Sequence, residues 1–203
     1  MIYKRLNTGM LGSNCYLIGD EGEGVIIDPG ASSRDILNMV EESGLKIKYI
    51  ILTHAHLDHI CSMDKIRDKL GAQVAVHEKD AAALSDSWAN GASLFGANET
   101  YRDADVLLKD GQILKVGNLE LEIIHTPGHT EGSICIKVGN KVFTGDTLFR
   151  MSIGRSDLGR GDHEDLMNSI YNKLMALEDN VEIYPGHGTT STIGYERVNN
   201  PFF

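Results

Sequence analysis

Cysteine is scarce. Cys15, Cys61 and Cys135 lie far apart, are odd in number and form no C-x-x-C pair. This argues against a disulfide framework and a thiolate zinc knuckle, and it fits a reducing cytoplasm. Long apolar runs are missing too: none approaches the ~20 residues that span a bilayer. Met1–Leu6 runs into Gly9 and Gly12 without an apolar h-region, so neither a membrane partner nor a secretory signal is expected. Positive charge is in deficit, with 19 Lys and Arg against 29 Asp and Glu and a net charge of −10. Nucleic acid, which needs a basic face, is therefore not expected as a partner. The acidity reads as solubility, and bound metal ions would add local positive charge that the count omits. Aromatic residues are few, and Trp88 is the only tryptophan.

What is present suits one domain over residues 1–203, large enough for a full core. Strands are predicted at 2–6 and 14–19, and at 25–28 after a Gly-rich acidic turn; Asp28-Pro29-Gly30 stops the last. Ser32 or Ser33 caps a helix with Ile36, Leu37 and Val40 on one face, closed by Gly44. Strand 46–52 follows, then a helix marked by Ile60, Met63, Ile66 and Leu70, then strand 73–76. Residues 85–110 read as a long irregular segment carrying Trp88, Phe95 and Tyr101, which either cover a substrate or pin the segment to the body. Strands return at 113–116, 119–124, 133–138 and 141–143. A helix over 163–177, a strand at 181–184 and a short helix near 192–197 close the chain. Two sheets with helices outside them form the natural layered arrangement, an α+β fold.

The chemistry is concentrated in Thr53-His54-Ala55-His56-Leu57-Asp58-His59, directly after an apolar strand. Alternate residues on extended backbone point the same way, so His54 and His56 share a side. Asp58 and His59 then lie in a turn that can curl back toward them. Imidazoles with a carboxylate suit zinc, iron or manganese. Three later positions share one context: His129 in Thr-Pro-Gly-His-Thr, Asp146 in Thr-Gly-Asp-Thr and His187 in Pro-Gly-His-Gly each follow a predicted strand on a glycine-containing loop. His77, His125 and His163 match no ligand motif, and Cys61 is expected to pack at a helix start.

These motifs, in this order and with Gly154-Arg155-Ser156-Asp157, resemble the metallo-β-lactamase superfamily, specifically its small glyoxalase II-like branch, over nearly the whole chain. The resemblance implies a four-layer αββα sandwich of two mixed sheets with a dinuclear site at one edge. It implies His54, His56 and His129 for one ion, Asp58, His59 and His187 for a second, and Asp146 bridging both. Two divalent metals are expected, zinc foremost, with iron or manganese also compatible. Glyoxalase II carries a further C-terminal helical region that grips glutathione; here sixteen residues follow His187, with only Arg197 as a cation beyond it. Hydrolytic chemistry is therefore expected to carry over better than glutathione recognition.

The expected activity is hydrolysis of an acyl thioester, such as S-D-lactoylglutathione or a related small acyl thiol, by a hydroxide shared between the metals. A thiolate leaves with little protonation, so metals and Asp58 suffice where an amide would need a stronger acid. Asp58 is the side chain expected to act in catalysis. Two alternatives stand beside this reading: a mononuclear-iron persulfide dioxygenase, and a lactonase or phosphodiesterase on the same scaffold. Arg150, Arg155 and Arg160 follow Asp146 at five-residue spacing and either attract an acidic substrate or tie their loop together.

Overall fold

The computed structural model describes residues 1–203. Its first sheet comprises β1 (Ile2–Leu6), β2 (Cys15–Asp20), β3 (Glu23–Ile27), β4 (Lys46–Ile51), β5 (Gln73–His77) and β6 (Val106–Leu108), adjacent in that order. β1 to β3 pair antiparallel and β3 to β6 pair parallel. Parallel neighbours need crossovers, supplied by α1 (Ser33–Ser43) and by α2 (Leu57–Ile60) with α3 (Met63–Leu70). The second sheet contains β7 (Ile113–Val116), β8 (Leu119–His125), β9 (Ile134–Val138) and β10 (Lys141–Gly145). A separate hairpin, β11 (Leu148–Phe149) with β12 (Ser152–Ile153), follows. After α4 (His163–Ser169), β13 (Glu182–Pro185) and β14 (Ser191–Thr192) complete the second sheet, in the order β14-β13-β10-β9-β8-β7, and α5 (Ile193–Asn199) ends the regular structure.

Period-two burial builds the layers. Along β2, Cys15 and Leu17 face the α1–α3 side, whereas Tyr16 and Ile18 face the second sheet. Ile26 and its neighbours Val25 and Ile27 divide in the same way on β3. The second sheet sends Leu121, Ile123 and Ile136 inward, and Cys135, Val142 and Ile183 outward against Leu166, Ile170 and Ile193. Three stacked apolar clusters therefore separate four layers, the αββα sandwich of the α+β class. No helix is long and apolar enough to cross a membrane.

Local signals account for most helix ends. Ser32 Oγ accepts from Asp35 N at 3.2 Å, and Gly44 adopts φ +68°. Two expectations need correction. The helix predicted over 163–177 is α-helical only to Ser169 and then widens into a π turn over Ile170–Leu174, with Met175 N donating to Ile170 O at 2.8 Å. The spacing of Leu166, Ile170 and Leu174 is compatible with both geometries, so periodicity did not separate them. The segment 85–110 is also less irregular than expected. It contains a 3-10 turn at Ala92–Phe95 and the short strand β6, anchored where Asp105 Oδ2 accepts from Val74 N at 2.8 Å. Three residues are too few for alternation to register in sequence.

Strand direction positions the site. β4 ends just before His54, and β8, β10 and β13 run the same way and end before His129, Asp146 and His187. Ile134 N donates to Thr53 O at 2.8 Å, and Asn14 N donates to Gly186 O at 2.7 Å, stitching the two sheets together at this edge.

Candidate metal centre

The seven expected residues converge at that edge. One nitrogen each from His54, His56 and His129 lies within 4.8 Å of the others, and the same holds for ligand atoms of Asp58, His59 and His187. Asp146 lies between the two groups: Oδ1 is 3.4 Å from His59 Nε2, and Oδ2 is 3.7 Å from His129 Nε2 and 3.5 Å from His187 Nε2. Within the second group, His187 Nε2 is 3.2 Å from Asp58 Oδ2 and 3.2 Å from His59 Nε2. Close approach of backbone makes this possible. A Cβ on Gly186 would collide with Asp146 Oδ1 and lie 2.8 Å from His59 Cε1.

Surrounding acceptors set the imidazole tautomers. His129 Nδ1 lies 2.7 Å from the Arg155 carbonyl, which can only accept, so Nε2 presents its lone pair inward. His59 Nδ1 donates to Asp28 Oδ2 at 3.0 Å, leaving Nε2 for the centre. Thr53 Oγ1 donates to Asp28 Oδ2 at 2.6 Å and therefore accepts from His54 Nδ1 at 3.1 Å. His54 Nε2 is then a buried lone pair without a partner, as is Asp146 Oδ1. Carboxylates and carbonyls behind imidazoles are the usual outer support of metal ligands.

Charge follows the same logic. Burial, reinforced by His59 and His129, pushes His54 well below the ordinary imidazole range, and burial with His129 lowers His56 to about 3. Burial disfavours a charged His59 as well, but Asp146, Asp28 and Asp58 outweigh it and raise this group to about 10. Burial would raise Asp58, yet the His187 hydrogen bond and His59 prevail and hold it down at about 2. Orphaned lone pairs and clustered carboxylates at one point are costly in a packed core. They fit divalent cations, so the donor set and its geometry are compatible with a metal centre.

Two supporting carboxylates were not identified from sequence. Asp28, 1% exposed and at φ +52°, accepts from Thr53 N at 2.7 Å as well as from Thr53 Oγ1 and His59. Its signal was the Asp-Pro-Gly stop after β3, read only as punctuation. Asp80, 4% exposed, accepts from Ala55 N at 3.1 Å, Thr130 Oγ1 at 2.8 Å and Gly132 N at 2.8 Å. It thus ties the His54–His56 loop of one sheet to the His129 loop of the other. Nothing in its sequence context marks it.

The remaining candidates fall outside the centre. His77 and His125 stack on each other with ring centroids 4.0 Å apart, and His163 opens α4. Cys61 donates to Gly30 O at 3.2 Å in the turn between α2 and α3. Of the three spaced arginines only Arg155 borders the cavity above the centre, and it forms a two-point pair with Asp157. Arg150 covers the Tyr195 ring at 4.7 Å, and Arg160 pairs with Glu131 at 3.2 Å. Arg197 is engaged by the carbonyls of Met175 and Leu177.

A family model described as the metallo-beta-lactamase superfamily matches residues 8–187. The chain belongs to that superfamily. Among its relatives, hydroxyacylglutathione hydrolase GloC of Haemophilus influenzae is 41% identical over 199 residues, covering 93% of this chain and 92% of that protein. The crystal structure of BLEG-1, a B3 metallo-beta-lactamase, superposes with a TM-score of 0.94 at 37% identity and 99% coverage of both chains. TTHA1623, solved in a di-iron-bound form, gives a TM-score of 0.89 at 31% identity, covering 98% of this chain and 100% of that one. The histidine and aspartate cluster suits a divalent-metal site in this superfamily, whose relatives include a probable metallo-hydrolase of Bacillus subtilis.

Proposed function

We propose that this superfamily member hydrolyses acyl thioesters at a dinuclear centre. His54, His56 and His129 would hold one ion and Asp58, His59 and His187 the other, with Asp146 shared between them. The observation that supports the reading is Asp146, whose carboxylate lies within 3.4–3.7 Å of histidines from both groups, Oδ1 near His59 and Oδ2 near His129 and His187. Zinc suits this nitrogen and oxygen donor set, and iron fits it as well. Bound metals would supply Lewis acidity and a water of lowered pKa.

The reaction adds water to the acyl carbon and breaks the carbon–sulfur bond, yielding a carboxylic acid and a thiol. Asp58 stays a carboxylate, so its oxygen accepts a hydrogen bond from the attacking water and directs the water's lone pair toward the acyl carbon. No lysine, tyrosine, glutamate or cysteine lines the cavity. An amide leaving group would lack a strong acid there, whereas a thiolate departs unassisted. The likeness to hydroxyacylglutathione hydrolase GloC supports the same choice.

Elemental analysis and thiol release, measured on one sample with S-D-lactoylglutathione and an acyl-N-acetylcysteamine, test the reading. Two ions per chain with thiol release are expected. One iron per chain with oxygen consumption and no thiol release would overturn it in favour of a persulfide dioxygenase. Turnover of a lactone, phosphodiester or β-lactam alone would overturn the substrate class.

A further inference from the structure

The cavity above the metal centre encloses about 440 Å³, within the range of small-molecule sites. Its floor is His56, Asp58, His129, Asp146 and His187, and its upper wall is apolar: Leu11, Trp88, Leu94, Phe95, Phe149 and Leu158. Four of these are unusually open to solvent. Leu11 is 65% exposed, Trp88 62%, Leu94 63% and Phe95 53%. Scattered exposed apolar side chains need no explanation, but a cluster around one polar floor marks a ligand groove.

The wall is built rather than loose. Asn90, fully buried, accepts from Leu57 N at 2.8 Å through its carbonyl and from Ala92 N at 2.9 Å through Oδ1, while Nδ2 donates to Glu99 O at 3.0 Å. Trp88, Leu94 and Phe95 are thereby carried on a pinned segment next to α2. Across the mouth, Leu11 is held at φ +56°, a region costly for a leucine, with its side chain outward. Tyr101 does the opposite job, packing against the first apolar cluster.

Charge points the same way. Apart from the metal-binding floor, the only charged side chain in the lining is Arg155, and Asp157 already engages its guanidinium at 2.8 and 3.1 Å. An anionic tripeptide thiol would meet a single cation there, one that already has a carboxylate partner. Resting on the thioesterase reading above, we infer that the cavity selects thioesters by an apolar arm, an alkyl or aryl chain on either the acyl or the thiol side, in preference to glutathione thioesters.

Two substrate series and one binding titration test this on the metal-loaded protein. In the first series N-acetylcysteamine carries acyl groups from acetyl to decanoyl; in the second, acetyl is carried on ethane- to octanethiol. In at least one series kcat/KM should rise about twofold or more per methylene until the cavity fills, and the best member should exceed S-D-lactoylglutathione. The series that rises identifies which arm is held. Leu94→Asp and Phe95→Ser alter exposed side chains, and each should reduce the long-to-short ratio about tenfold. Trp88, as the sole tryptophan, reports occupancy directly: a non-hydrolysable S-octyl thioether of N-acetylcysteamine should shift its emission to the blue in a saturable titration. Chain-length profiles flat in both series, or a preference for S-D-lactoylglutathione over every apolar thioester, would overturn the inference and leave the thioesterase reading intact. Absence of thiol release from every substrate would instead overturn that reading. The titration then decides the cavity separately, with saturation supporting an apolar ligand site and no spectral change refuting it.

Discussion

Replacing Asp80 by alanine removes the acceptor that joins two loops of the candidate metal centre from different sheets. Its carboxylate serves Ala55 N, Thr130 Oγ1 and Gly132 N. Thr130 keeps a second partner, the Ser133 hydroxyl at 2.7 Å, so two backbone N–H groups are left without one. Each buried unsatisfied donor costs about 1–3 kcal/mol, and relief of the buried carboxylate's own desolvation offsets part of this. The expected loss is about 2–4 kcal/mol, survivable for a domain of about 5–15 kcal/mol. Metal affinity should fall by about 10- to 100-fold, the usual effect of removing outer support from metal ligands. The assay is competition with a chromophoric chelator at fixed pH, alongside urea unfolding of metal-free protein. Leu174→Ala, buried in the outer helix layer far along the chain from these loops, costs a comparable ~2–5 kcal/mol and should leave the affinity of folded protein unchanged. If Asp80→Ala binds metal within about twofold of the wild type while losing stability, Asp80 only ties the fold together. A variant normal in both respects would refute the reasoning altogether.

Asp146→Ala should lose both ions and thioesterase activity together, as read by elemental analysis and thiol release; wild-type occupancy would refute the bridging role. In Gly30→Ala a new Cβ meets the Asp58 carbonyl and Ser13 Oγ, so the Asp58 loop must move. Metal content and kcat/KM should each drop at least about tenfold, and full values for both would contradict the geometry. His77, 3% exposed, is held down at about 4 from 6.5, first by burial and then by the stacked His125; Glu78, Lys79 and Asp110 are the other charged groups facing it. Its depressed folded value means that stability is fully present above pH 6.5 and is lost as pH falls toward 4, by about 1–3 kcal/mol once solvent screening reduces the full effect. His77→Phe should flatten that window in urea unfolding of chelator-treated protein, and parallel slopes for the two proteins would dispose of the assignment.

Much of the architecture was legible in the chain because its signals are local. Alternation at Cys15, Tyr16, Leu17 and Ile18 assigns two faces to β2, and the Ser32 cap and Gly44 stop bound α1. The candidate metal residues were legible for a related reason. His54 and its neighbours form one dense cluster after β4, while His129, Asp146 and His187 each follow the carboxyl end of a strand on a glycine-containing loop, and strand direction brings such ends to one edge. Asp28 and Asp80 were not legible, because a lone carboxylate carries no periodicity. Asp80 reaches Thr130 and Gly132 only once the two sheets close on each other. The sequence by itself determined which side chains could bind metal and which strands present them. Only tertiary packing decided that Trp88 and Phe95 wall the cavity while Tyr101 faces the core, and that Arg150, Arg160 and Arg197 are engaged elsewhere. Side-chain direction along one element is set by its own repeat, whereas convergence between elements depends on how two apolar faces interlock.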